Sequence, residues 1–195
     1  MGKEGIDRAR TRERRSTGRR RQSGQTLLEV LVGFSVLLVG LVGFVKVIVS
    51  SMEASKGTHD AARAKEAARG MLETLAAQDF TTVFKRYNDS TADDPGGVVS
   101  PGADFTVSGL NVQISDADGF VGEVLFPTNS AAPSELREDQ TAVRFGTPRD
   151  LNGDGAIDNQ NHANDYEILP VAVKISWRSA TGNNTLELKT VLGGL

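Results

Sequence analysis

From Leu27 to Val49 the chain reads LLEVLVGFSVLLVGLVGFVKVIV, and seventeen of these twenty-three residues are Leu, Val, Ile or Phe. Only Glu29 and Lys46 carry charge. As a helix rising ~1.5 Å per residue the run is about 35 Å long, enough to cross a hydrocarbon core of ~30 Å with some tilt. Seventeen such side chains, each favouring insertion by about 0.3–0.6 kcal/mol, outweigh two charges that lie near the ends of the run and reach the interface. A single membrane-inserting helix is therefore expected. Residues 1–24 hold nine Lys/Arg against Glu4, Asp7 and Glu13, a balance of +6, so the overall −3 leaves −9 on residues 25–195. A basic arm beside an apolar helix sets the cytoplasmic side. Topology control accounts for its arginines more simply than nucleic-acid binding does, and no nucleic-acid partner is expected.

A conventional cleaved signal peptide fits poorly, because its apolar region is ~7–15 residues long and ends at a small-residue cleavage site. This run is longer, carries Glu29, and has only a weak site around Ser51 to Ala54. Arg14-Arg15 and Arg19-Arg20-Arg21 are followed by polar residues rather than the apolar ones a twin-arginine signal needs. The stretch Gly24-Gln25-Thr26-Leu27-Leu28-Glu29-Val30 instead resembles the prepilin processing motif of type IV pilin-like proteins: a basic leader, Gly, a cut, then an apolar helix with Glu five residues on. Ser35 to Gly43 is similar to the corresponding passage of PilV-type minor pilins. Gln25 stands where the family usually has Phe or Met, and the proline that kinks many major-pilin helices is missing.

The resemblance implies cleavage after Gly24 by a prepilin peptidase, N-methylation of the new amine of Gln25, and an assembly role for Glu29. It implies a non-catalytic filament subunit, a minor type IV pilin. Its partners would be other pilin subunits through the N-terminal helix, the inner-membrane assembly platform, and the lipid bilayer before assembly. Residues 1–24 would be the leader, 25–50 the transmembrane and filament-core helix, and 51–195 a head outside the cytoplasm that ends on the pilus or cell surface. A minor pseudopilin of type II secretion shares the same motif. A signal-anchored, calcium-stabilised binding or adhesion domain outside any filament is an alternative of another class.

All six prolines come at position 95 or later, so one long helix is expected through the first half of the chain. Past Lys46 it turns amphipathic, with Ala61, Ala64, Ala68, Met71, Leu72 and Leu75 at three- and four-residue steps. Phe80, Val83, Phe84 and Tyr87 extend that stripe until Asn88-Asp89-Ser90 favours a turn. Beyond the stretch Asp93 to Gly102 the period shifts toward two, with strands expected near 104–114, 119–126, 141–147, 168–178 and 184–192. Val171, Val173, Ile175 and Trp177 alternate with more polar positions, and Thr181-Gly182-Asn183 turns the chain back into Leu186 and Leu188. An antiparallel sheet covered by the amphipathic helix follows, an α+β fold.

No Cys is present, which excludes disulfides and thiol-ligated metals. There is no P-loop, no dinucleotide-binding glycine pattern, no G-x-S-x-G and no histidine pair at metal spacing, so catalysis is not expected. One ligand-binding motif stands out. Residues 150–158, DLNGDGAID, match the D-x-[DN]-x-[DN]-G opening of a calcium loop. Asp150, Asn152, Asp154 and Asp158 with the Ala156 carbonyl are the candidate Ca²⁺ ligands, and Ile157 is expected to pin the loop to the core. The twelfth position is Asn161 rather than a bidentate Glu. His162 is expected to stand aside, since calcium prefers oxygen ligands.

Overall fold

The computed structural model describes residues 25–95 and 100–194, so Gly24 and the whole of segment 1–24 lie outside the described residues, as do four residues of the Asp93 to Gly102 stretch. The chain divides into two compact units, one ending at Ile48 and the other beginning at Val49.

Helix α1 runs Gln25–Ala76 and is long and apolar enough to cross a membrane. In its first part all seventeen Leu, Val, Ile and Phe side chains from Leu27 to Val49 are exposed, from 39% at Ile48 to 73% at Val39. Water does not stabilise such a surface, so it must meet lipid or other apolar helices.

Within the second unit the rest of α1 buries one stripe. Ala64, Ala68 and Leu75 are buried, and Ala67, Met71 and Leu72 pack against the same core. Ala61, expected on that stripe, is exposed, and the buried position one turn before Ala64 is Asp60. Counting four residues back from Ala64 reaches 60, so an acid occupies the core-facing place.

The expected single helix stops at Ala76 and restarts as α2, Phe80–Tyr87. Asp79 causes the break: its extended backbone and side chain, which accepts Thr81 N–H at 3.1 Å, make it an N-cap. The restart turns Val83, Phe84 and Tyr87 inward, with the Phe84 ring edge-on to Phe126 at 5.3 Å.

Four strands form one antiparallel sheet in chain order: β1 Asp104–Phe105, β2 Gly122–Leu125, β3 Ile168–Ser179 and β4 Gly182–Gly193. Together with the helices they give the expected α+β class. The β3–β4 hairpin pairs Val171 with Thr190, Val173 with Leu188 and Ile175 with Leu186. Its turn is Ala180-Thr181, one residue earlier than the spacing suggested, with Gly182 at φ 125 already paired to Ser179. Val171, Val173, Ile175 and Trp177 are buried as their alternation required.

The strand expected near 119–126 forms as β2, while two others depart from expectation. The 104–114 strand shrinks to two residues, and 141–147 contains a 3-10 turn at Val143–Phe145 rather than a strand. Phe105 lies across Gly122, where a Cβ would collide with its ring, so the glycine admits the aromatic beside the Asp104–Glu123 pair. Val143 is 86% exposed while Phe145 is buried, so that segment anchors one aromatic without supplying a strand face.

Candidate functional site

Loop 150–158 hangs from the start of β3. The Leu151 carbonyl accepts the N–H groups of Glu167 and Ile168, and the Leu151 side chain is fully buried. Leu151, rather than Ile157, pins the loop: Ile157 is 53% exposed. Tyr166 fixes the other side by donating its hydroxyl to the Phe80 carbonyl and stacking edge-on against the Phe80 ring.

The loop curls around Asp150. One carboxylate oxygen accepts Gly153 N–H at 2.6 Å and the other accepts Gly155 N–H at 2.8 Å. Gly153 and Gly155 have φ of 75° and 85°, a backbone that residues with a Cβ rarely adopt. Asn152 Nδ2 donates to Asp154 Oδ2 at 3.1 Å, and Asp154 Oδ1 accepts Ala156 N–H at 2.8 Å. Asp150, Asn152 and Asp154 are thus joined in one turn. Asp158 is bonded elsewhere: its carboxylate accepts from Gln160 N–H at 2.7 Å and lies 3.1 Å from His162 Nε2.

Two residues that the sequence pattern passed over organise this arrangement. Glu138 is 1% exposed and spans both ends of the loop, one oxygen accepting Leu151 and Asn152 N–H and the other accepting Asp158 N–H. It lies thirteen residues before Leu151 and has no local pattern that separates it from an exposed acid. Buried His162 sits between Asp158 and Asp165, with its Nδ1 3.2 Å from Asp165. Burial pulls the imidazole pKa down, but bonding to Asp158 and Asp165 and the charge of Glu138 outweigh it and hold it above the ordinary value. Asp158 is held below the usual carboxylate range, first by Gln160 N–H and then by His162.

Ligand atoms of Glu138, Asp158 and His162 lie within 4.8 Å of one another. Glu138 already holds three backbone N–H groups, so in this arrangement it acts as a clamp on the loop. Asp150, Asn152 and Asp154 offer donors of the kind a hard divalent cation takes, whereas Asp158, expected in the same set, is turned to Gln160 and His162. The first three are oxygen side chains around a glycine-bearing turn, and each carboxylate oxygen that accepts one N–H keeps a further lone pair.

At the other end of the chain Glu29 stands on the first helical turns of α1, among the exposed apolar side chains. Residues 19–45 match the family described as the prokaryotic N-terminal methylation motif. No curated protein and no solved structure matches this chain. The match covers residues 19–45 alone and supports a prepilin-type N-terminal segment, the kind shared by type IV pilin and pseudopilin precursors. The motif implies processing by a prepilin peptidase and assembly with other pilin-type subunits, and with the apolar helix it is consistent with membrane anchoring.

Proposed function

We propose that the protein is a minor type IV pilin, a structural subunit that primes or modifies a filament and catalyses no reaction. The observation that carries this reading is the methylation motif over residues 19–45 at the head of a helix whose seventeen apolar side chains from Leu27 to Val49 face outward. Cleavage after Gly24 frees the amine of Gln25 for methylation, and the 25–50 helix passes from bilayer to filament core. A carboxylate in an apolar helix bundle is costly unless paired, so Glu29 meets the freed amine of a neighbouring subunit. The PilV-like passage from Ser35 to Gly43 supports the minor-pilin subtype.

The head takes one Ca²⁺ at Asp150, Asn152, Asp154 and the Ala156 carbonyl, with Asp158 joining the set when it leaves Gln160 and His162.

N-terminal mass analysis of protein from native membranes should find a start at Gln25; an intact leader or a start after residue 50 overturns the reading. Wild type should be recovered in sheared filaments. Glu29→Ala should insert and be cleaved yet be absent from them, and normal incorporation of that variant would sink the pairing. Recovery only with a secretion apparatus assigns the chain to the pseudopilins instead.

A further inference from the structure

Glu138, Asp158 and His162 come from two segments that backbone bonds already hold together. His162 N–H donates to the Leu136 carbonyl at 2.8 Å, Asp139 N–H donates to the Asp158 carbonyl at 3.2 Å, and the Asn161 side chain accepts Leu136 N–H at 3.0 Å. Buried Glu138 and His162 therefore stand on a scaffold that needs no ligand to form. Asp158, four residues before His162, closes the group from a half-buried position.

The orientation of the imidazole separates this group from a surface ion pair. Its Nδ1 faces both oxygens of Asp165, at 3.2 and 3.3 Å, and carries a hydrogen toward them. Nε2, across the ring, faces Asp158 Oδ1 at 3.1 Å and Glu138 Oε1 at 3.9 Å. A ring nitrogen and two carboxylate oxygens aimed at one place repel unless a cation stands there, either a proton on Nε2 or a metal ion. Metal-binding histidines give their other ring N–H to a carboxylate in the same way, which is the part Asp165 plays from outside the three ligands.

The distances suit a small ion. Around a four-coordinate zinc ion, ligand atoms ~2.0–2.2 Å from the metal stand about 3.4 Å from one another. The 3.1 and 3.9 Å separations bracket that figure, and the three ligand atoms all lie within 4.8 Å of one another. Glu138 gives up one bond to take part: Oε1 holds Leu151 N–H at 2.6 Å and Asn152 N–H at 3.2 Å, and the longer one yields. Calcium and magnesium prefer shells of oxygen alone, whereas an imidazole beside carboxylates suits zinc.

We propose that Glu138, Asp158 and His162 bind one Zn²⁺, with Asp165 positioning the imidazole and a water in the fourth place. Binding sends the Nε2 proton to solvent. The ion ties the Glu138 turn to the end of the 150–158 loop and so braces the head. The zinc site needs no calcium in the loop. Asp158 serves one ion at a time, so on the calcium reading above zinc leaves that loop Asp150, Asn152, Asp154 and the Ala156 carbonyl.

The test is calorimetric titration of the untagged full chain in detergent with Zn²⁺, followed by elemental analysis after gel filtration. Wild type should retain one zinc per chain and melt higher with it than in chelator. Asp165→Asn alters an exposed residue that touches no ion and should weaken zinc binding about 10–100-fold. His162→Gln should abolish it, and His59→Gln, at an exposed histidine outside the group, should leave it unchanged. Co²⁺ offered in place of zinc should show the visible bands of a four-coordinate site in wild type and lose them in His162→Gln. If His162→Gln no longer melts cooperatively, Asp165→Asn decides. Zinc held equally by wild type and Asp165→Asn, or retained in folded His162→Gln, overturns the proposal. So does a wild type that retains no zinc, which would make the group an ion-pair cluster alone.

Discussion

Glu138 and Asp104 show how differently two acids of one head behave. Glu138 offers both oxygens to three backbone N–H groups at the two ends of the 150–158 loop, and its charge makes those bonds strong. Glu138→Gln keeps the shape but loses acceptor capacity, and its amide N–H then faces a backbone donor. We expect it to cost about 2–4 kcal/mol in urea unfolding, the range for breaking a buried charged network. Asp104 sits opposite Glu123 across β1 and β2. Burial, and then the charges of Asp118, Glu123, Asp89 and Asp116, push its pKa up. A carboxyl that protonates more readily when folded favours the fold only while it holds its proton, and that contribution is lost as pH rises through the folded value. Asp104→Asn should therefore raise the melting temperature at pH 7, and the gain should vanish near pH ~3, where both states are protonated. An equal gain at both pH values would refute this electrostatic cause.

Elements differ in how far local pattern determines them. The β3–β4 hairpin was legible because Val171, Val173, Ile175 and Trp177 bury one face at period two, and the pairing carries that period across twelve residues. The amphipathic half of α1 was legible for the matching reason at period 3.6. The break at Asp79 was not, because the apolar stripe runs on from Leu75 into Phe80, Val83 and Phe84 and conceals a change of helix. Asp79→Ala removes the cap on Thr81 N–H and should destabilise the head by about 1 kcal/mol, read as a lower denaturant midpoint with an unchanged slope. β1 and the 141–147 segment were over-read as strands. Alternation there reflects single anchors, Phe105 over Gly122 and buried Phe145, rather than a continuous buried face.

For the whole molecule, the proposed calcium loop ties stability to the medium outside the cytoplasm. Lacking a bidentate Glu at its twelfth position, the loop should bind at roughly 10⁻⁴ to 10⁻³ M, the range of extracellular modules. At about 1–2 mM calcium that affinity stabilises the head by around 0.4–1.8 kcal/mol through mass action, a rise of a few degrees in melting temperature. The full chain in detergent should melt higher in calcium than in chelator, and Asp154→Ala should abolish the difference while leaving membrane insertion intact. Identical melting of wild type in both media would reduce the loop to a hydrogen-bonded turn.

Sequence by itself determined the features that depend on neighbours along the chain. These are the apolar run from Leu27 to Val49, the processing motif around Gly24 and Glu29, the hairpin, and the D-x-N-x-D-G spacing that curls the loop around Asp150. Each needs only a helical or strand period, or a short-range hydrogen bond, to take effect. Tertiary structure alone decided what depends on distant partners. It turned Asp158 toward His162, set Glu138 across the loop from thirteen residues away, and made Leu151 rather than Ile157 the anchor. It also placed Asp60 on the buried face of α1 opposite Gly109. A carboxylate on a helix reads the same whether it faces water or a wall, because its burial is set by whatever the rest of the chain brings against it.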